Sequence, residues 1–138
     1  MIRFEQGELE RLWAHAREGY PYEVVGVLAG TAGHVTRVEP LVNERSDVKN
    51  RYRVNGLTLL KAERRLEADG FQILGYYHSH PDHPAAYSDY DRDHALPNLS
   101  YVITAVHEGE VVDTLSWRLL EDRSAMRPEQ LAVTEEAP

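Results

Sequence analysis

The tightest constraint on this chain is the stretch Phe71-Gln72-Ile73-Leu74-Gly75-Tyr76-Tyr77-His78-Ser79-His80-Pro81. Its apolar first part reads as a buried strand, and two histidines follow at the strand's end. Side chains alternate across an extended chain, so His78 and His80 leave on one face and Ser79 on the other. Pro81 stops the strand because it has no N–H to give the ladder. A short loop with a second proline follows, and Ser88 and Asp91 then stand where a new helix should begin. Two imidazoles and a carboxylate make an open, borderline-hard donor set, which suits a hydrolytic zinc ion with one position left for water. The same residues also admit a plainer reading. A histidine at a strand end is commonly an ordinary surface residue, and Ser88-x-x-Asp91 fits a helix-start box with Ser88 as N-cap. The two readings of Ser88 and Asp91 are compatible, since a helix N-terminus can hold a carboxylate near a histidine pair.

The full pattern is His-Ser-His-Pro, six residues, Ser, two residues, Asp, carried here by His78, Ser79, His80, Pro81, Ser88 and Asp91. It resembles the JAMM motif of the MPN-domain (Mov34/PAD-1-like) zinc metallopeptidases, in particular the small prokaryotic type. That family also carries a glutamate near its N-terminus, just before a short apolar strand. Pro21-Tyr22-Glu23-Val24-Val25-Gly26-Val27-Leu28-Ala29-Gly30 is similar to that segment, with Glu23 in the glutamate's place. Many relatives have a cysteine where this chain has Val25. The resemblance runs from the first helix to about Trp117.

Composition narrows the partners. The chain has 138 residues and a 42% hydrophobic content, enough for one domain with a core of its own. A net charge of −8 argues against a nucleic-acid backbone as main partner. With no cysteine present, neither a disulfide nor a thiolate metal site can form, so any metal must be held by His, Asp or Glu. No apolar run is long enough to span a bilayer, and Met1-Ile2-Arg3-Phe4-Glu5-Gln6 lacks the apolar core of a signal peptide. The expectation is a cytoplasmic protein with no membrane partner. Its oligomeric state is not written in the sequence.

The rest of the chain supplies the scaffold. Leu9, Leu12, Trp13 and Ala16 fall on one helical stripe over Glu8 to Arg17, and Gly19 and Pro21 end it. His15 beside that stripe reads as a surface residue. Val24 to Ala29 is nearly all apolar, which predicts a strand buried on both faces. Gly30 to Gly33 turns the chain into an alternating second arm, His34 to Val42. Residues 43 to 55 are polar and irregular and read as a surface loop carrying Arg45, Lys49, Arg51 and Arg53. Gly56 to Gly70 predicts a helix with Leu59, Leu60, Ala62 and Leu66 inward and Gly70 closing it. Ser88 to Ala95 predicts a short helix, and Leu99 to Val106 and Val111 to Leu120 two further strands. From Glu121 the periodicity is lost, and Thr134 to Pro138 reads as frayed. This order indicates an α/β domain with a sheet packed on helices. The resemblance implies more: a single-domain MPN fold, a curved mixed sheet similar to that of the cytidine deaminases. The domain is expected over residues 1–120, with residues 121–138 as a C-terminal extension.

The resemblance also assigns roles. It implies one zinc ion per chain held by His78, His80 and Asp91, with Glu23 as general base and Ser88 as donor to the oxyanion. It implies hydrolysis of amide bonds after the C-terminal Gly-Gly tail of a ubiquitin-like or sulfur-carrier protein. A metal-free MPN scaffold that only binds proteins is the alternative. A zinc deaminase is excluded by the absence of cysteine. Among neighbouring residues, His83 is expected to line the cleft or meet solvent. His94 reads as a surface histidine, and Tyr76 and Tyr77 as core. Tyr87 and Tyr90 are candidate cleft walls. His107-Glu108 does not begin a His-Glu-x-x-His site, because Val111 holds the second histidine's place.

Overall fold

A computed structural model describes residues 1–43 and 55–135. The basic loop residues Arg45, Lys49, Arg51 and Arg53 therefore lie outside the described residues, as do 136–138. In chain order the elements are β1 (Ile2–Glu5), α1 (Gln6–Gly19), β2 (Val25–Thr31), β3 (His34–Leu41), α2 (Gly56–Ala68), β4 (Gln72–Pro81), α3 (Asp89–His94), β5 (Ser100–His107), β6 (Glu110–Leu119), β7 (Met126–Glu129) and β8 (Leu131–Thr134).

All the described strands form one sheet in the order β7-β6-β5-β4-β2-β3-β1-β8. The pairing is mixed: β4 runs parallel to β5 and antiparallel to β2. β7 and β8 stand at opposite ends of that order, yet only Gln130 separates them in sequence. The sheet must therefore curl until its two edges approach each other. Ile2 N–H donates to the Gln130 carbonyl at 2.9 Å, tying the start of β1 to that corner. The curved mixed sheet expected from the resemblance is what the chain forms.

α1 fills the inside of the curl. Leu9, Leu12 and Ala16 on its stripe pack with Ile2, Phe4, Leu28, Val35, Val38, Tyr77, Val102 and Val106, all buried. Gly26 is required here, because a Cβ at that position would stand 2.1 Å from the Tyr77 ring. The outer face has smaller covers. Leu66 of α2 packs on Val27 and Ala29, with Ile73 and Tyr76 at the margin. Ala85 and Ala95, on either side of α3, pack on Ile103 and Tyr101 respectively. β2 and β5 are thus buried on both faces, as their largely apolar sequences predict, with Ser100 and Thr104 the buried polar members of β5. Gly70 takes a φ of +93° just past α2, where its lack of a Cβ lets the chain leave the helix.

Four details differ from the sequence reading. Leu60 is 45% exposed, not inward, because α2 rests on the sheet by Ala62 and Leu66. His15 is half-buried, and its Nδ1 lies 2.8 Å from the Tyr77 hydroxyl. β1 has no counterpart among the strands expected from the sequence. Strands β7 and β8 lie within the stretch read as aperiodic, and Thr134, read as frayed, ends a strand paired to β1. Among the described residues, no helix is long and apolar enough to cross a membrane.

Candidate metal centre

The site forms where three segments meet on the outer face of the sheet. The first is the end of β4. Its backbone is held on both sides, with Val25 of β2 and Ile103 of β5 flanking His78. A strand gripped this way fixes where its side chains point. Tyr77 and Ser79 face the α1 side, and His78 and His80 face outward together. Their Nε2 atoms lie 3.2 Å apart.

The second segment is the start of α3. Ser88 Oγ accepts the Asp91 N–H at 3.1 Å, and Asp91 Oδ2 accepts the Ser88 N–H at 2.8 Å. This reciprocal capping box satisfies two N-terminal backbone groups. It also folds the Asp91 carboxylate back over the cap, toward β4. Asp91 Oδ1 then lies 3.1 Å from His78 Nε2, and Oδ2 lies 3.3 Å from His80 Nε2. The helix-start reading and the proximity to the histidines are one arrangement.

The third segment, residues 20–24, joins α1 to β2 and carries Glu23. Glu23 is only 5% exposed, which rules out the plain reading of a solvated strand-start carboxylate. One of its oxygens and one ring nitrogen from each of His78 and His80 all lie within 4.8 Å of one another.

The donor set itself tests whether a metal fits. His80 Nδ1 sits 2.8 Å from the Pro84 carbonyl. A carbonyl can only accept, so Nδ1 carries the proton and Nε2 of the neutral ring is a bare lone pair. That lone pair faces the Asp91 carboxylate, another acceptor, at 3.3 Å. Such a pair needs a cation, either a proton on the ring or a metal ion. The pKa shifts express the same demand. Burial pushes the Asp91 carboxyl up, but hydrogen bonds from His78 and His80, the charge on His78 and the Ser88 N–H outweigh it. The result lies well below the usual carboxylate range. Burial lowers the His80 pKa, yet its bonds to Asp91 and Pro84 and the charges of Asp91 and Glu23 raise it overall. Spacing agrees as well. The imidazole nitrogens stand 3.2 Å apart, and Asp91 meets His78 through Oδ1 at 3.1 Å and His80 through Oδ2 at 3.3 Å. Tetrahedral ligands on metal bonds of about 2.0 Å stand roughly 3.3 Å apart. His78, His80 and a carboxylate therefore suit a zinc ion. Both Asp91 and Glu23 are within reach.

A cleft of about 450 Å³ opens over this cluster, lined by Glu23, His80, His83, Tyr87, Ser88, Tyr90 and Asp91 among others. Its size suits a narrow substrate segment. Tyr87 and Tyr90 are walls, as expected, and exposed His83 lies at the rim. His94 is exposed, stacks on Tyr90 and bonds its carbonyl at 2.8 Å. Asp89 points to solvent near Arg92. His107 is exposed, 3.4 Å from the His83 carbonyl. Two contributors escape the sequence reading. Asn43 Nδ2 donates to the Glu23 carbonyl at 2.7 Å. The Tyr20 hydroxyl donates to Asp82 Oδ2 at 2.7 Å, clipping the front of the Glu23 segment to the loop after His80. Neither pairing has a local sequence signal.

Comparison with known proteins gives a consistent picture. A probable TtuB-protein conjugate cleaving protease of Thermus thermophilus is 41% identical over 98 residues, covering 71% of this chain and 66% of that protein. The chain thus spans just under two thirds of that relative's length. A desampylase of Haloferax volcanii is 34% identical over 101 residues, covering 68% of this chain and 73% of that protein. The structure of a JAB1/MPN domain protein from Archaeoglobus fulgidus matches with a TM-score of 0.64 over 98% of each chain. At 15% identity that likeness speaks for the fold alone. The model of the prokaryotic homologs of the JAB domain matches residues 5–120, and the chain belongs to that family.

Proposed function

We propose that the protein is a zinc-dependent peptidase or isopeptidase that hydrolyses the amide bond after the C-terminal Gly-Gly tail of a ubiquitin-like or sulfur-carrier protein. The observation that carries this reading is the convergence of His78, His80 and Asp91 at 3.1–3.3 Å with a second buried carboxylate, Glu23, beside them. Asp91 is taken as the third ligand, because the capping box already aims it at both imidazoles. Glu23 is then left to act on protons. A zinc ion bound there would lower the pKa of a water molecule and polarise a carbonyl. Glu23 removes a proton from the attacking water and delivers it to the leaving amine, so that one C–O bond forms as the C–N bond breaks. Ser88 Oγ uses a lone pair for the Asp91 N–H, which leaves its own proton to donate to the carbonyl oxygen as charge develops. The names of the relatives, one acting on TtuB conjugates and one a desampylase, support a ubiquitin-like substrate. A thin Gly-Gly tail suits a cleft of about 450 Å³ with tyrosine walls. Cytoplasmic residence belongs to the same reading.

The test compares wild type, Glu23→Gln and His78→Ala/His80→Ala for zinc per chain and for cleavage of a fusion joined through a Gly-Gly-ended ubiquitin-like tail. Wild type should hold about one zinc. The double variant should lose zinc and cleavage together. Glu23→Gln should keep zinc and lose roughly a hundredfold or more in rate. Full activity in Glu23→Gln with zinc bound would remove the base assignment. Wild type that takes up no zinc would move the protein-binding scaffold to first place.

A further inference from the structure

Ser79 sits between the two histidines and faces away from them, so the proposed reaction gives it no part. It is nonetheless 1% exposed, and a hydroxyl buried that fully needs a partner. Its partner is the backbone beside Glu23. Ser79 Oγ accepts the Val24 N–H at 2.9 Å, and the Ser79 N–H donates to the Val24 carbonyl at 3.1 Å. A regular antiparallel pair would exchange two backbone bonds here. One of them goes to the hydroxyl instead. The ladder between β2 and β4 therefore ends on a side chain, and the chain departs at Glu23. From the other side, Asn43 Nδ2 holds the Glu23 carbonyl at 2.7 Å. The peptide joining Glu23 to Val24 is thus gripped at its carbonyl by Asn43 and at its N–H by Ser79, while the next carbonyl is held by Ser79 again.

We infer that Ser79, together with Asn43, is a positioning residue for Glu23. It fixes the carboxylate at one end of the clamp relative to the imidazoles of His78 and His80, its own neighbours in β4. The motif's middle serine then has a physical role, because the strand that presents two donors also locks, on its back face, the segment that presents the base. This inference rests on the proposed role of Glu23, and its test separates the two. A misplacement of about 1 Å at a reacting group can cost roughly a hundredfold in rate.

The experiment is a double-mutant cycle of Ser79→Ala with Glu23→Gln. It is read by single-turnover cleavage of the Gly-Gly-linked fusion at excess enzyme, so that residual rates stay measurable. Zinc content and the hydrogen exchange of the Val24 amide are measured alongside. In the wild-type background, Ser79→Ala should keep its zinc and its half-saturating enzyme concentration while the maximal single-turnover rate falls about ten- to a hundredfold. The Val24 amide should exchange faster. In the Glu23→Gln background the same substitution should cost nothing further, because the group it positions is already gone. Asn43→Ala, at a half-buried position that threatens folding less, should repeat the pattern with a smaller loss. An equal loss from Ser79→Ala in both backgrounds, or a loss that tracks zinc, would overturn the inference and leave the base role of Glu23 standing. An unchanged rate in Ser79→Ala and Asn43→Ala would overturn it too. Full activity in Glu23→Gln alone would instead strike at the proposed function.

Discussion

Two carboxylates are almost equally buried in this molecule, and they are surrounded in opposite ways. Asp91 lies on the outer face above β4, with a side chain 6% exposed. Glu129 lies at the corner where β7 meets β8, with a side chain 4% exposed. Both are held below the usual carboxylate range. Glu129 is satisfied by groups that all donate to it. Ser100 Oγ and Ser116 Oγ donate to its Oε1 at 2.7 and 2.8 Å, and Arg118 Nη1 donates to Oε2 at 3.2 Å. An arginine is always charged, so this corner carries its own cation. Asp91 has two imidazoles instead, and one of them turns a lone pair toward it. A buried charge needs a partner in either place. At Glu129 the chain supplies that partner. At Asp91 the chain leaves the demand to a proton taken up by an imidazole or to a metal ion. Burial and pKa direction alone would not tell a structural carboxylate from a ligand; the protonation state its neighbours are forced into does.

Substitution by the neutral isostere should split the pair most sharply. Asp91→Asn should abolish zinc retention and cleavage, a loss of at least about a hundredfold. With the pH above the raised His80 value, the metal-free protein should melt at or above the wild-type temperature, because Asn relieves the lone-pair conflict with neutral His80 and its Oδ1 still accepts the Ser88 N–H. At lower pH, where protonated His80 pairs with the carboxylate, it should melt below wild type. Calorimetry of chelator-treated samples with zinc analysis checks both halves. A metal-free Asp91→Asn protein that melts well below wild type even where His80 is neutral would mean that Asp91, like Glu129, is a structural group first.

Glu129→Gln should do the reverse. Zinc and cleavage should persist, while stability falls by about 2 kcal/mol, since charge-assisted bonds become neutral ones and Arg118 loses its counter-charge. The pH dependence has a definite sign. Burial raises the Glu129 pKa, but the bonds from Ser100, Ser116 and Arg118 outweigh it and depress the folded value below 4.5. A depressed folded value means the stabilisation is complete above the unfolded pKa and is lost as pH falls through the folded one. Metal-free wild type should therefore lose melting temperature faster than Glu129→Gln between about pH 5 and pH 3. Parallel curves would show that the corner contributes no charge-dependent stability.

The same contrast explains what is legible in the sequence. The outward pairing of His78 and His80 can be read because strand alternation is strict, and the Ser88–Asp91 box because capping is local. Both need only neighbours in sequence. The approach of Glu23 depends on Val25 pairing with His78 across the β2–β4 ladder, which no local pattern encodes; only the family resemblance points to it. The Glu129 corner is invisible for the same reason, more severely. β7 is the four residues Met126-Arg127-Pro128-Glu129, with a proline tolerable only at a sheet edge, and β8 is equally short. Such segments carry no usable period. They become strands because β6 and β1 offer open edges, a tertiary fact. His15 misleads for a related reason, since its partner, the Tyr77 hydroxyl, reaches it from another element.

A third carboxylate calibrates the other two. Asp82 sits after Pro81 with a φ of +58°, in the left-handed region. Its Oδ1 accepts the Glu108 N–H at 3.0 Å and its Oδ2 accepts the Tyr20 hydroxyl at 2.7 Å. Like Asp91 and Glu129, it is held below its usual pKa, by those two hydrogen bonds in that order. Unlike them it is exposed, so water can replace either partner. Asn is also well suited to a positive φ and keeps an acceptor for one bond. Asp82→Asn should therefore leave the melting temperature and the zinc content unmoved, with cleavage reduced less than about threefold. The small loss would come from a looser front end of the Glu23 segment, where Tyr20 is clipped. A much larger drop in kcat at full zinc content would mean that this exposed clip, rather than the buried grip of Ser79 and Asn43, sets where Glu23 stands.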